Sequence, residues 1–337
     1  MKPFNDLTPR GKLRRLRTLA LRALEDYDFD VDDVRFLTVE TNTMFTVRKT
    51  GGERFVLRIY SDEETTLREN RAEMFWLNAI TRDTDIRITE PVLRRDGEAV
   101  TVVSVPGVPG ERRCALFHWV PGRPLEEDLR PDYYASLGET MARLHEHADS
   151  LNPLPSDIRP KMWDKVFYYP DEPVIFRDPA YRQHFTTDRI AIMETVIARA
   201  DALFAELFSD PGGLLLIHGD LHYWNVHVHR GQIYVIDFED VMRGYPVQDV
   251  AVTLYYGRHR ANYPALRAAY KDGYTRVRPW PAADERQLQT LMAARTVMFI
   301  NYIARISDKP EEYLKGWFEG LKRYLGKHPW HEAKESA

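Results

Sequence analysis

Residues 214–240 constrain this chain more than any other stretch. The apolar run Leu214-Leu215-Leu216-Ile217 leads into His218-Gly219-Asp220-Leu221-His222-Tyr223-Trp224-Asn225. Two alternating segments follow, joined by Arg230-Gly231, and the second ends at Asp237-Phe238-Glu239-Asp240. Alternation on both sides of a two-residue turn predicts a β-hairpin. Pairing about that turn sets Val226 opposite Val235 and Asn225 opposite Ile236, so Asn225 and Asp237 meet diagonally at the open end. Asp220 lies in the loop that feeds the same end. Three oxygen-bearing side chains therefore converge at one mouth, and the rest of the chain must fold around it.

Such a set suits phosphoryl transfer. Mg²⁺ is a hard ion that prefers carboxylate, amide and phosphate oxygens. A carboxylate must also orient the attacking hydroxyl, or accept its proton, while the metal neutralises developing charge. A lone loop aspartate is more commonly a turn or cap residue; the argument rests on all three. The order His218-x-Asp220-x4-Asn225, then Asp237-Phe238, repeats the catalytic loop and metal-binding Asp-Phe of protein kinases. Four histidines (218, 222, 227, 229) also crowd this stretch and invite a zinc reading. No cysteine assists, and His227 and His229 fall on one face of an exposed ribbon.

His218-Gly219-Asp220-Leu221-His222 through Asn225, with Ile236-Asp237-Phe238-Glu239-Asp240, resembles the aminoglycoside phosphotransferase/choline kinase-like family. Gly219 stands where protein kinases carry Arg, and Glu239 where they carry the Gly of Asp-Phe-Gly. Both departures point to the small-molecule branch. Gly244-Tyr245-Pro246-Val247-Gln248-Asp249-Val250, and a late helix running from Ala293-Ala294-Arg295 to Ser307-Asp308-Lys309-Pro310, are similar to the bacterial stress-response kinase subgroup.

The remaining sequence is compatible with that. At 337 residues the chain exceeds what one compact core usually serves, which predicts one large or two smaller domains. A net charge of −4 argues against nucleic acid as a general partner. The basic stretch Arg10, Lys12, Arg14, Arg15, Arg17 and Arg22 reads as a solvated helix face. Cys114, the single cysteine, sits in an apolar run, which predicts a buried structural thiol, excludes an internal disulfide and fits a reducing cytoplasm. No apolar signal core opens the chain, and no membrane span is expected. The most apolar late segment, 291–303, is interrupted by Arg295 and Asn301.

Periodicity predicts a helix over 10–25 with Leu13, Leu16, Leu19, Leu21 and Leu24 as its apolar positions, then strands over 34–39, 44–48 and 54–60. A helix over 65–80 follows, then a hairpin from 91–93 and 99–105. The fold class expected from pattern and resemblance together is α+β, a protein-kinase-like bilobal arrangement. Its small β-sheet N-lobe, residues 1–117, carries one main helix. A hinge at 118–124 connects it to a larger, mostly helical C-lobe over 125–337. Residues 149–190, rich in proline and aromatics without a clean period, read as an acceptor-binding insertion rather than a disordered tract.

The resemblance implies roles. Asp220 is the catalytic carboxylate, Asn225 and Asp237 are the Mg²⁺ ligands, and His218 braces the loop. Asp249 is a structural acid that holds that loop, while Glu239 and Asp240 read either as contacts to a second metal or as a solvated pair. In the N-lobe, Asn42 belongs to a nucleotide-covering loop. Arg58 occupies the strand position where protein kinases carry Lys, with Glu73 as its ion-pair partner and Glu69 in reserve. ATP is expected to set its adenine against Phe117, His118, Trp119 and Val120. The implied reaction moves the γ-phosphate to an alcohol group of a small molecule. A Ser/Thr protein acceptor, as in the stress-response kinases, and a nucleotide-binding pseudokinase scaffold are the alternatives.

Overall fold

The structure, a computed structural model, describes residues 2–62, 65–169 and 172–327; the end of the expected C-lobe, 328–337, lies outside the described residues. Helix α1 (Pro9–Leu24) opens the chain and is capped by Thr8. It packs on a sheet built from β1 (Val31–Val39), β2 (Thr43–Lys49) and β3 (Arg54–Ile59), followed by α2 (Leu67–Asp83) and the strands β4 (Pro91–Val92), β5 (Val100–Val103) and β6 (Arg112–His118). The order is β1-β2-β3-β6-β4, with β5 also on β6. Beyond β6 come the short β7 (Arg123–Pro124) and α3 (Pro131–Ser150), then β8 (Lys161–Met162) and α4 (Thr187–Leu207). Next are β9 (Leu215–Ile217), β10 (Val226–His229), β11 (Gln232–Val235) and β12 (Met242–Gly244). Helices α5 (Pro246–Gly257), α6 (Tyr263–Thr275), α7 (Glu285–Ile306) and α8 (Glu311–Lys327) complete the fold.

The mixed architecture is the expected one: an antiparallel sheet with one main helix, then a mostly helical part. Two expectations need correction. β4 and β5 do not form a hairpin with each other; both pair with β6, Val92 opposite Leu116 and Val100 opposite Ala115. β3 already occupies the other edge of β6, so the two short strands share the remaining edge in succession. On α1, Leu19 and Leu24 are buried with Ala20 and Ala23, but Leu21 faces solvent. Leu21 lies two positions from Leu19, about 200° around the helix, so it cannot share the buried face.

Two apolar clusters organise the molecule. One joins α1 to one face of the sheet through Leu19, Leu24, Phe45, Leu57 and Leu116. The other runs through the helical part and also takes in Trp76, Leu77 and Ile80 of α2. Helix α2 therefore belongs to both halves of the molecule. Its Trp76 is fully buried, meets Phe238 edge-on at 5.6 Å, and donates to His147 Nδ1 at 3.3 Å. The segment after α2 is tied down too: Thr89 N donates to Val235 O and Val235 N to Arg87 O. The aromatics of 149–190 enter the same core, with Trp163, Tyr168 and Phe176 buried.

Helices α3 and α6 cross with backbones in contact. A Cβ at Gly138 would overlap the Tyr270 carbonyl, and one at Gly273 the Ala135 carbonyl. Gly138→Ala is expected to lower stability by about 1–3 kcal/mol, because an overpacked crossing must separate. Gly316→Ala on α8, where a Cβ meets nothing, is expected to be neutral or to stabilise by up to about 1 kcal/mol. Denaturant unfolding of the two variants checks the contrast.

Candidate active site

The hairpin forms in the expected register, Val226 opposite Val235 and His229 opposite Gln232. Arg230 and Gly231 both take positive φ, 50° and 77°, as a two-residue turn matched to strand twist requires. Ile236 N donates to Asn225 O at 3.0 Å, closing the ladder one step beyond the strands. Asp237 then adopts a left-handed conformation, φ 63°, which turns the chain sharply and aims its carboxylate back at β3.

The loop before the hairpin is held from beneath. Asp249, fully buried on α5, accepts from Gly219 N at 2.7 Å and His218 N at 2.8 Å, and meets His145 Nε2 at 3.1 Å. Gly219 has φ 80°, and a Cβ there would strike the Asp240 carbonyl, so no residue with a side chain fits. His218 lies against Phe238 with ring centroids 4.5 Å apart, its Nε2 is 3.2 Å from Ile236 O, and its Nδ1 accepts from Asp220 N. These contacts are structural, and they set where Asp220 points.

Asp220 meets a guanidinium absent from the expected site. Arg295 of α7 binds its Oδ1, His222 Nε2 lies 3.2 Å from Oδ2, and Tyr256 OH stands 3.5 Å from Oδ1. Burial alone would raise the Asp220 carboxyl, but His222 and then Arg295 outweigh it and hold the group down at about 2. Asp220 is thus an anion throughout the neutral range. Asn225 Nδ2 donates to the Asp220 carbonyl at 2.9 Å, which turns its amide oxygen toward the mouth.

Arg58 joins the two halves. Its Nη1 donates to Glu73 at 2.9 Å, its Nη2 donates to Asp237 at 2.9 Å, and its plane lies 5.1 Å from the Phe117 ring. Burial opposes its charge, but Glu73 and then Asp237 more than compensate and keep it protonated. Glu73 is the partner, steadied further by the Tyr60 hydroxyl at 2.7 Å. Glu69 instead closes a capping box with Thr66 at the start of α2. Asn42 is buried with both ends of its amide engaged, its oxygen by Ser61 N and its nitrogen by Glu239. Asp240 accepts from Lys161 Nζ at 2.8 Å and Tyr169 OH at 2.6 Å, so it fastens the 149–190 segment to the site.

Two cavities meet here. The larger, about 910 Å³, runs from Phe117, His118, Trp119 and Val120 past Asn42 and Arg58 to Asn225 and Asp237. The smaller, about 480 Å³, lies between Tyr168, Tyr169 and Glu172 on one side and Arg295, Phe299 and Arg305 of α7 on the other. Asp220 lines both. Of the smaller cavity's polar residues Asp220, Asp240 and Glu69 belong to the expected set, whereas Arg295 and Glu172 lay outside it. One signal was available: a charge inside the most apolar helix must be buried and paired. Asn301, the other interruption of that helix, is fully buried and bonds Ile175 N and Pro173 O.

A kinase-like phosphotransferase is what this fold and mouth define. The chain belongs to the phosphotransferase enzyme family of the aminoglycoside phosphotransferase type, whose model matches residues 34–286, and it is a phosphotransferase. An uncharacterised protein of Synechocystis is 28% identical over 284 residues, covering 81% of this chain and 75% of that one. Amicoumacin kinase of Bacillus subtilis is 24% identical over 233 residues, covering 68% and 64%. Among solved structures, a microcompartment-associated aminopropanol kinase superposes with a TM-score of 0.75 at 25% identity, covering 92% of this chain and 98% of its own. An amicoumacin kinase solved with AMP-PNP and Ca²⁺ superposes at 0.74 and 18% identity, covering 96% of each chain. Among the described residues, no helix is long and apolar enough to cross a membrane.

Arg295→Met removes a cation from Asp220, whose carboxyl then titrates higher. The anion accepts the hydroxyl's hydrogen bond more strongly than the neutral acid and alone can take up its proton, so activity is lost as pH falls through that value. The acid limb of the rate profile is expected to shift upward in the variant; an unmoved limb contradicts the pairing.

Proposed function

We propose that the chain moves the γ-phosphate of ATP, with Mg²⁺, to the hydroxyl of a small amine-bearing alcohol. The observation that carries this is the position of Asp220, at the junction of a cavity large enough for a nucleotide and one sized for a metabolite. The donor set fits the group: Asn225 and Asp237 offer hard oxygens, with the Asp237 side chain 40% exposed toward the larger cavity. When bound, Mg²⁺ and ATP supply the electrophilic phosphorus and neutralise charge on the phosphates. Residues 117–120 receive the adenine. Arg58, oriented by Glu73 and Asp237, would direct its guanidinium to the phosphates. Asp220, already anionic, aligns the acceptor hydroxyl and takes up its hydrogen bond.

The acceptor class follows from the smaller cavity. Five carboxylates line it beside Arg295 and Arg305, Asp240 being paired with Lys161 and Asp62 with Arg112 and Arg113. Tyr168, Tyr169 and Phe299 add ring faces, which attract an ammonium. The relatives named for amicoumacin and aminopropanol favour the same reading. A cavity of about 480 Å³ suits a metabolite better than an extended protein segment.

Purified protein with Mg²⁺·ATP, offered aminopropanol and other short amino alcohols beside uncharged diols, tests this directly. Phosphorylation of the amino alcohols in preference to the diols is expected. Asp220→Asn is expected to cut kcat at least about a hundredfold while nucleotide binding persists. Full turnover in that variant sinks the assignment.

A further inference from the structure

A third cavity, about 320 Å³, lies between the end of α5, helix α7 and helix α8, and shares no lining residue with the two catalytic cavities. Arg258, His259 and Arg323 line it, and no carboxylate does. Among the described residues, no carboxylate stands within ion-pair distance of any of the three. Burial, and then the charges of Arg258 and Arg323, push the His259 imidazolium down, which places the three groups within mutual repulsion. His259 and Arg323 are exposed and Arg258, which also donates to the Tyr255 carbonyl, is half-buried, so the three present positive charge to an anion arriving from solvent.

The floor of the cavity has a second unexplained feature. Gly316 and Gly320 stand one turn apart on α8, both lining it. A Cβ at Gly316 would meet nothing within 4 Å, and one at Gly320 only the Arg323 Nη2 at 3.9 Å. Glycine weakens a helix relative to alanine, and here no packing within the described chain demands it. Gly138 and Gly273 are the contrast, since each lies where a neighbouring backbone leaves no room. Bare helix beside three cations permits close approach by a ligand.

We propose that this cavity binds a small phosphate-bearing anion, inorganic phosphate or a compact phosphomonoester. Arg258, His259 and Arg323 hold it against the open face of Gly316 and Gly320. Guanidinium pairs suit phosphate oxygens, the imidazole adds a third donor, and the volume is at the lower end of small-molecule pockets. The site stands independently of the acceptor proposed for the catalytic mouth.

Calorimetric titration of the full chain, saturated with Mg²⁺·AMP-PNP, with inorganic phosphate and separately with glycerol 1-phosphate tests the site at constant ionic strength. Saturable binding by wild type is expected, weakened about tenfold or more in Arg323→Ala. Gly320→Leu is expected to raise the melting temperature yet abolish binding, since it strengthens the helix and fills the cavity. Both variants should retain wild-type ATP turnover. Tighter binding of the ester identifies a phosphomonoester as occupant; tighter binding of phosphate identifies the free ion. Absence of saturable binding by wild type, or equal binding by wild type and both variants, overturns the proposal.

Discussion

The Asp249 carboxylate is the constraint on which the catalytic mouth depends. It is buried, and among the described residues no Lys or Arg pairs with it, so its stability rests on donors: Gly219 N, His218 N and the His145 ring. Those same bonds hold Gly219 in its left-handed turn and fix the direction in which Asp220 leaves the loop. A buried acid that consumes two consecutive backbone amides leaves the loop little freedom, and preorganisation of this kind is what positioning catalysis requires. Asp249 sits on α5, whose start is held by Gln248 bonding both Tyr245 N and the Trp163 carbonyl. Loop, helix and the 149–190 segment are therefore one connected unit.

Opposite it, Arg58 carries the coupling between sheet and helical part. A guanidinium shared by Glu73 and Asp237 ties β3, α2 and the end of the hairpin together at 2.9 Å on each side. Two forked donors allow this where a single ammonium would not bridge so readily, which gives a physical reason for arginine at this strand position. Helix α2 reinforces the link from its other face through Trp76 and Phe238. The site thus lies between two halves that are already registered to each other by a buried ion pair and an aromatic contact.

Much of this was legible in the residues. The hairpin register followed from alternation and a two-residue turn, and the mixed fold from period and motif, because both are local signals. The Arg58–Glu73 pair came from the resemblance, with Glu69 on the same helix face in reserve; the structure pairs Arg58 with Glu73 and uses Glu69 to cap α2. The placement of β4 and β5 was not legible, because a break in a short edge strand looks like a turn between two paired strands. Arg295, Tyr256 and Glu172 were hidden for a different reason. They reach Asp220 or its cavity from elements far along the chain, and no local period reports which face of a largely buried helix meets a loop. The interruptions at Arg295 and Asn301 argued against a membrane span, without showing what they touched.

A crystal structure of the chain with AMP-PNP and Mg²⁺ tests the central claim most directly. The account predicts a metal about 2.1 Å from oxygens of both Asn225 and Asp237, the γ-phosphate facing Asp220, and Arg58 directed to the phosphates. A nucleotide bound outside the cavity between residues 117–120 and Asp237, or a metal whose ligands exclude Asp237, would contradict it.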